Sequence, residues 1–412
     1  MRRASKRVFQ IINEDGHTLT TQEDVVNEFV SFYQRLLGDR RREFIDLRYL
    51  RPWARHVLTQ EESQELVQSV TREEIKDAFF DIAEDKAPGP DGYSSGFYKA
   101  AWPVIGEEMI KAILEFFTTG RLLKQVNTTI LALIPKVRAP STVSDFRPIS
   151  CCNVLYKVIT KIIVQRLRLV LDKLISPSQN AFVPGRSIGD NILLAQELFA
   201  GYNRQGLPMR CALKVDLRKA YTVEWDFLSA VLQMFGFPGT FIGWVEECVT
   251  TPMFSVASMG TLTVSSRVPG DDLLLFCKAD VASVRVFRHG LAEFAKLSGL
   301  HANPQKSQLI LSRSAQDVRE QLLAALHFQE GHLPLRMGKH SVVLCGETSI
   351  IKSVLMSLNV YWAMAFILPK GVIREVEKKD AYLLVERKLS SGISKGGMEC
   401  GVQTDREGGQ VK

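Results

Sequence analysis

Long hydrophobic runs are missing from this chain. The longest uninterrupted apolar stretch, Val360 to Leu368, is nine residues, about half of the roughly 20 needed to cross a bilayer, so no membrane-spanning segment is expected. The basic start MRRASKRVFQ passes into the polar INEDGHT with no apolar core between them. That excludes a secretory signal and leads to the expectation of an intracellular protein, without distinguishing nucleus from cytoplasm. CxxC pairs are also missing, as are Cys and His at zinc-ligand spacing. The seven cysteines (Cys151, Cys152, Cys211, Cys248, Cys277, Cys345 and Cys400) form an odd set, expected to be buried thiols rather than a disulfide framework or a zinc module. No internal repeat or heptad array is present, which removes solenoids and coiled coils. Apolar residues themselves are not scarce. With 46% of 412 residues hydrophobic, the chain can bury a core across two or three domains, and a wholly disordered protein is excluded.

The formal net charge is +7, and its distribution is uneven. Between Arg121 and Lys173 stand ten Lys and Arg (Arg121, Lys124, Lys136, Arg138, Arg147, Lys157, Lys161, Arg166, Arg168 and Lys173) against Asp145 and Asp172 only. Two readings fit this segment. It is either the solvated face of an amphipathic helix or a surface for a polyanion.

Periodicity predicts a mixed α/β chain. Val26, Phe29, Val30, Tyr33 and Leu37 at helical spacing predict a lead-in helix over 22–37. Thr71 with Glu74 reads as a capping box opening a second helix, which stops before the turn-rich KAPGPDGYS at 86–94. A third helix is predicted over 97–118 and a fourth over 153–174, with a short strand ILALIPK (130–136) between them. CALKVDL (211–217) alternates and ends at Asp216, whereas LLLFC (273–277) begins just after Asp271 and Asp272. A helix over 284–297 broken at Ser298-Gly299 and a strand at 308–312 follow. The glycine-rich tail from Ser390 is expected to be disordered.

If the strands at 211–217 and 273–277 are neighbours, Asp216 and one of the paired aspartates meet across the end of a sheet. Clustered carboxylates of this kind stay ionised only with cations between them. Two Mg2+ ions would satisfy them, and such a pair activates an attacking hydroxyl and stabilises a leaving pyrophosphate oxygen. A lone Asp-Asp pair is far more often an ordinary turn.

The surrounding strings carry a larger signal. KAPGPDGYSSGFYK, LIPK, DFRPISCCNVLYKVITKIIVQRL, SPSQNAFVPGRSIGDNILLAQEL, LKVDLRKAY, DDLLLFCKAD, LSGLHANPQKSQ and IIKSVLMSLNVYWAMAFILPK occur in this order over roughly residues 8 to 378. Together they resemble the reverse transcriptases of LINE-type (non-LTR) retrotransposons, most like those of flowering plants. The resemblance implies an α/β (α+β) right-hand polymerase with helical fingers, a truncated palm sheet and a partial helical thumb. It implies a linker and lead-in helix over 1–70, fingers and template-contacting region over 71–205, palm over 206–315, thumb or connection over 316–388 and a disordered tail over 389–412. Asp216 resembles the first metal-binding aspartate, Asp271 the second, and Asp272 a supporting ligand, with Mg2+ as the cofactor and Mn2+ as a substitute. Lys136 and Arg147 match residues that contact the incoming triphosphate. Tyr221 matches the ring that screens against a 2′-hydroxyl; Asn303 and Lys306 match a palm motif in which the lysine protonates pyrophosphate. Arg186 in FVPGRS resembles a template contact, and Lys157 and Lys161 fall to nucleic-acid binding. The implied partners are an RNA template, a DNA primer and deoxynucleoside triphosphates, with no membrane.

The chain also departs from the family. Only fourteen residues separate Val256 from Asp271, where the family carries an RGLRQGDPLSPYLF-like stretch whose helix floors the nucleotide pocket. Pro269-Gly270 replaces an aromatic-Ala before the aspartates, KAYTVEWDF lacks one aspartate of KAYDTVEWDF, and GHLPLR runs directly into MGKHSVVL. Positioning of two substrates supplies roughly 7–11 kcal/mol of such a barrier, so polymerase activity is expected to be low or absent. The alternatives are a catalytically dead nucleic-acid-binding remnant and a translated pseudogene product.

Overall fold

The chain alternates short helices and strands because its apolar residues change period between 3.6 and 2. The computed structural model describes residues 10–38, 45–51, 54, 56–137, 139–176, 179, 183, 185–204, 209–217, 223–256, 272–333 and 340–344. Tyr221, Asp271, the Pro269-Gly270 pair and the predicted tail lie outside the described residues, as does the thumb beyond Leu344.

Strands β1 (Ile11–Ile12) and β2 (Thr18–Leu19) pair antiparallel and lead into α1 (Gln22–Gly38). Val25, Phe29 and Tyr33 of α1 are buried at four-residue spacing, and Phe29 meets Phe146 edge-on at 5.2 Å. Next come α2 (Leu47–Leu50), α3 (Gln60–Leu66) and α4 (Arg72–Phe80). Thr71 accepts from the Glu74 N–H at 3.1 Å, as a cap requires. The expected return bond does not form, because the Glu74 carboxylate is held by both sides of the Arg166 guanidinium at 3.0 and 3.1 Å. The helix predicted over 97–118 is in fact two, α5 (Ser95–Ala100) and α6 (Trp102–Thr119). Pro103 lies in the first turn of α6, where its missing N–H costs nothing, but it cannot continue α5.

Strand β3 (Thr128–Pro135) pairs antiparallel with β4 (Phe146–Cys152). β4 was not foreseen because Pro148 interrupts FRPIS; it is tolerated because β4 is an edge strand. Helix α7 (Val154–Leu174) then runs through the main core, with Val158, Ile159 and Ile162 almost fully buried. After α8 (Ile188–Phe199), β5 (Arg210–Asp216), α9 (Trp225–Met234) and α10 (Gly239–Thr250), strand β6 (Met253–Val256) joins β3 in parallel. The described chain resumes with β7 (Asp272–Lys278), α11 (Val281–Ser298), β8 (Gln308–Leu311), α12 (Arg319–Leu326), β9 (Gln329–Gly331) and β10 (His340–Leu344). As predicted, α11 ends at Gly299, which adopts the left-handed conformation at φ +74°.

Two larger sheets result among the described residues: β4-β3-β6, and a five-stranded β10-β7-β5-β8-β9. The second is covered on both faces. Leu213, Val215, Leu273, Leu275 and Leu309 enter the main helical core, whereas Ala212, Leu274, Phe276 and Ile310 pack with Ala195 and Tyr202 on the side of α8. Burial on both faces accounts for the unbroken apolar run in β7.

The turn-rich 86–94 loop is clamped to the start of α7. Asn153 donates to the carbonyls of Gln125 and Val126 at 2.9 and 3.1 Å and accepts from the Asp91 N–H at 3.2 Å. Gly89 fits here because a Cβ would collide with the Asn153 backbone, meeting its Cα at 2.6 Å. Gly89→Ala is therefore expected to destabilise the protein by about 1–3 kcal/mol, the usual cost of overpacking. Urea unfolding measures this; an unchanged midpoint would contradict the clamp.

Candidate active site

The two predicted acid-bearing strands are neighbours. β5 and β7 pair antiparallel, and the register sets Asp216 directly opposite Asp272. The bonding pattern identifies the kind of pair. The Ala279 N–H donates to the Met209 carbonyl at 3.0 Å one step beyond the ladder's other end, and alternation from there makes 216/272 a non-hydrogen-bonded pair. The bonds of Asp216 agree. Its N–H donates to Ser307 Oγ at 3.1 Å and its carbonyl accepts from the Asn303 N–H at 2.7 Å, both on the side away from β7. Non-hydrogen-bonded pairs bring Cα atoms closest, to about 4.5 Å. Strand alternation groups Asp216 with Lys214 and with Ala212, which is buried on the α8 side. Among residues whose side chains are described, no three His, Cys, Asp or Glu groups converge.

The NPQKSQ string reaches the same place. Residues 303–306 form a tight turn, in which the Lys306 and Ser307 N–H groups donate to the Asn303 carbonyl at 3.2 and 2.8 Å. The bonds from Asn303 and Ser307 fasten this turn to the backbone of Asp216, and Lys306 is exposed at its tip. Ser307, fully buried, is a positioning contact that sequence reasoning missed. It stood within the quoted motif, but a serine carries no chemical signal of its own.

Lys136 and Arg147 come together on the β3–β4 hairpin, apart from the sheet that carries Asp216. Arg147 pairs with Ile134 in register, and the Lys136 N–H donates to the Asp145 carbonyl at 2.7 Å. The Lys136 ammonium donates to the Ser144 carbonyl, also at 2.7 Å. Arg147 is half-buried and has no ion pair among the described residues.

The three residues expected to bind nucleic acid are engaged within the protein. Lys157 is buried and donates to the Ala87 carbonyl at 2.7 Å; burial holds its pKa below the ordinary lysine value. Lys161 pairs with Asp81. Arg186 uses all five N–H groups, on Asp172 Oδ1 and on the carbonyls of Asp172, Ile175, Ser176 and Gln179, at 2.5–3.0 Å. It caps the C-terminus of α7, where unpaired carbonyls and the helix dipole favour a cation, and no N–H remains for a template phosphate. The cysteines behave as expected, since the described ones are free thiols. Cys277 lies 3.1 Å from Cys211, Sγ to Sγ, and this contact together with burial pushes its pKa up. Arg186→Gln is expected to cost about 1–3 kcal/mol of stability, because carbonyls lose their donors. It should leave the salt dependence of RNA binding unchanged, whereas loss of a phosphate contact would lower the slope by about one.

Residues 134–269 match the family model of the reverse transcriptases (RNA-dependent DNA polymerase). The transposon TX1 uncharacterized 149 kDa protein of Xenopus laevis is 29% identical over 248 residues, covering 58% of this chain and 18% of that protein. A retrovirus-related Pol polyprotein from the type-1 retrotransposable element R1 of Bradysia coprophila is 31% identical over 29% of the chain and 12% of its own length. That from the type-2 element R2DM of Drosophila melanogaster is 24% identical over 40% of the chain and 15% of its own length. The chain thus spans under a fifth of the length of each of these relatives. Residues 134–269 are thus similar to the reverse transcriptases, and parts of the chain are similar to proteins of transposable elements.

Proposed function

We propose that this chain is an RNA-directed DNA polymerase of reduced activity, which adds deoxynucleotides to a primer 3′-hydroxyl opposite an RNA template. The observation that carries this reading is the pairing of Asp216 with Asp272 at a non-hydrogen-bonded position on the end of the sheet. Two aspartates at register-paired positions offer a hard-oxygen donor set of the kind Mg2+ accepts. When bound there, a pair of Mg2+ ions would lower the pKa of the attacking hydroxyl and neutralise charge on the leaving pyrophosphate.

The chain's own residues supply the rest. Asp216 holds its position through the backbone bonds to Asn303 and Ser307. Asp271, next to Asp272 in sequence, supplies a further oxygen. Lys306, exposed on the turn fastened to Asp216, is suited to give a proton to the departing pyrophosphate. Arg147 offers a guanidinium to triphosphate oxygens, and Lys136 does the same when it releases Ser144. Tyr221 serves as the ring against which a 2′-hydroxyl would collide. The short Val256–Asp271 connection lowers the rate by loosening the pocket.

Primer extension on a homopolymeric RNA template tests the proposal. Incorporation that requires Mg2+ and falls by more than about 100-fold in Asp216→Ala, beyond the cost of losing a supporting metal contact, is the expected result. No incorporation by the wild-type chain, with RNA binding that weakens steeply with salt, would replace the polymerase with a nucleic-acid-binding remnant.

A further inference from the structure

The far end of the β5–β7 ladder brings two cysteines together. Cys211 and Cys277 are register partners, and alternation from the Ala279–Met209 bond makes theirs a hydrogen-bonded pair. Such pairs hold their Cα atoms about 5.5 Å apart, inside the roughly 4.4–6.8 Å that a disulfide spans. The side chains meet as well. The two Sγ atoms are 3.1 Å apart, and Cys211 Sγ approaches the Lys278 carbonyl at 3.6 Å. Cys211 is fully buried, whereas Cys277 is partly exposed. The other described cysteines are placed differently: Cys151 and Cys152 follow one another on β4, where alternation turns them to opposite faces, and Cys248 is buried in α10.

We propose that Cys211 and Cys277 are a modification site, oxidised by a peroxide to a reversible cross-strand disulfide. The inference stands on the two thiols and not on the metal site proposed above. Cys277, the more accessible sulfur, attacks one peroxide oxygen; the O–O bond breaks, water leaves, and Cys277 becomes a sulfenic acid. The Cys211 sulfur then attacks Cys277 Sγ, the S–O bond breaks, and a second water departs with the Cys211 proton. In sum, two thiols and one hydrogen peroxide give one disulfide and two waters. The first step is slow, because the Cys211 contact and burial raise the Cys277 pKa and keep the thiolate scarce, so mild oxidants leave the pair as thiols. The second is intramolecular over 3.1 Å and fast. Directly opposed strand residues hold their Cβ atoms about 4.5–5.5 Å apart, wider than the roughly 3.5–4.5 Å of a relaxed disulfide. The bridge is therefore strained and readily reduced. It fastens β5 to β7 on the ladder that carries Asp216 and Asp272, five residues from each.

Hydrogen peroxide is the probe. The full chain, reduced and freed of reductant, is treated with peroxide in large molar excess, and the remaining thiols are alkylated before tryptic mapping without reduction. The expected product is a link between the peptides CALK (211–214) and VPGDDLLLFCK (268–278), which reduced glutathione reverses. In Cys211→Ser, with no second thiol to close the bridge, dimedone should trap a sulfenic acid at Cys277. Both cysteines alkylated after peroxide, Cys277 carried to the sulfinic acid without a link, either cysteine joined elsewhere, or no dimedone adduct at Cys277 would overturn the proposal. So would a link that forms in urea but not in the folded protein, or one that glutathione leaves intact. Circular dichroism verifies folding, and Cys211→Ala replaces any Cys211→Ser protein that does not fold.

Discussion

Two acidic residues at directly opposed, non-hydrogen-bonded positions of an antiparallel ladder create a local excess of negative charge that the fold has to accommodate. In this chain the constraint falls on Asp216 and Asp272. The surrounding structure fixes the backbone at that point. The 303–307 turn binds the N–H and the carbonyl of Asp216 from one side, while both faces of the sheet are packed with apolar side chains from Ala212 to Ile310. Lys214 shares a face of β5 with Asp216, Lys306 is exposed on the turn, and divalent cations are our proposed counter-charge for the two acids.

The remaining basic residues serve a different purpose. α7 is the longest described helix, and four of its five cations are tied to the elements packed around it. Arg166 holds Glu74 and the carbonyls of Leu66 and Gln68. Lys157 holds the 86–94 loop through Ala87, Lys161 reaches Asp81, and Lys173 reaches Glu62. Beyond its end, Arg186 gathers the last carbonyls. A concentration of positive charge in sequence has therefore become a set of internal fasteners.

Much of this architecture was legible from the residues. The stripes of α1, α7 and α11 are regular, and the alternation that closes on Asp216 fixed both β5 and the end at which its acid lies. The LLLF run announced a strand, which the structure buries on both faces. Other elements were hidden for identifiable reasons. α9 is buried nearly all round, through Trp225, Phe227, Leu228, Val231 and Leu232, so it has no single apolar stripe to read. Pro148 disguised β4, and Pro103 divided a helix that periodicity ran together. At the site, the residues indicated that the two strands meet and the family resemblance took Asp271 as the second metal aspartate, whereas the register sets Asp272 opposite Asp216, and a shift of one residue exchanges the faces. A PGR loop looks the same whether its arginine grips a phosphate or the carbonyls of a neighbouring helix, and Arg186 holds carbonyls at the end of α7.

Cross-linking examines the opposition of the two acids without depending on turnover. Cα atoms about 4.5 Å apart fall within the range that a disulfide can bridge, about 4.4–6.8 Å. Replacement of Asp216→Cys together with Asp272→Cys, mild oxidation of the folded protein and peptide mapping by mass spectrometry should therefore yield a single peptide pair joining positions 216 and 272. A folded double variant whose two introduced thiols stay reduced, or pair with other cysteines, would mean that the acids do not face each other and that no cation is held between them.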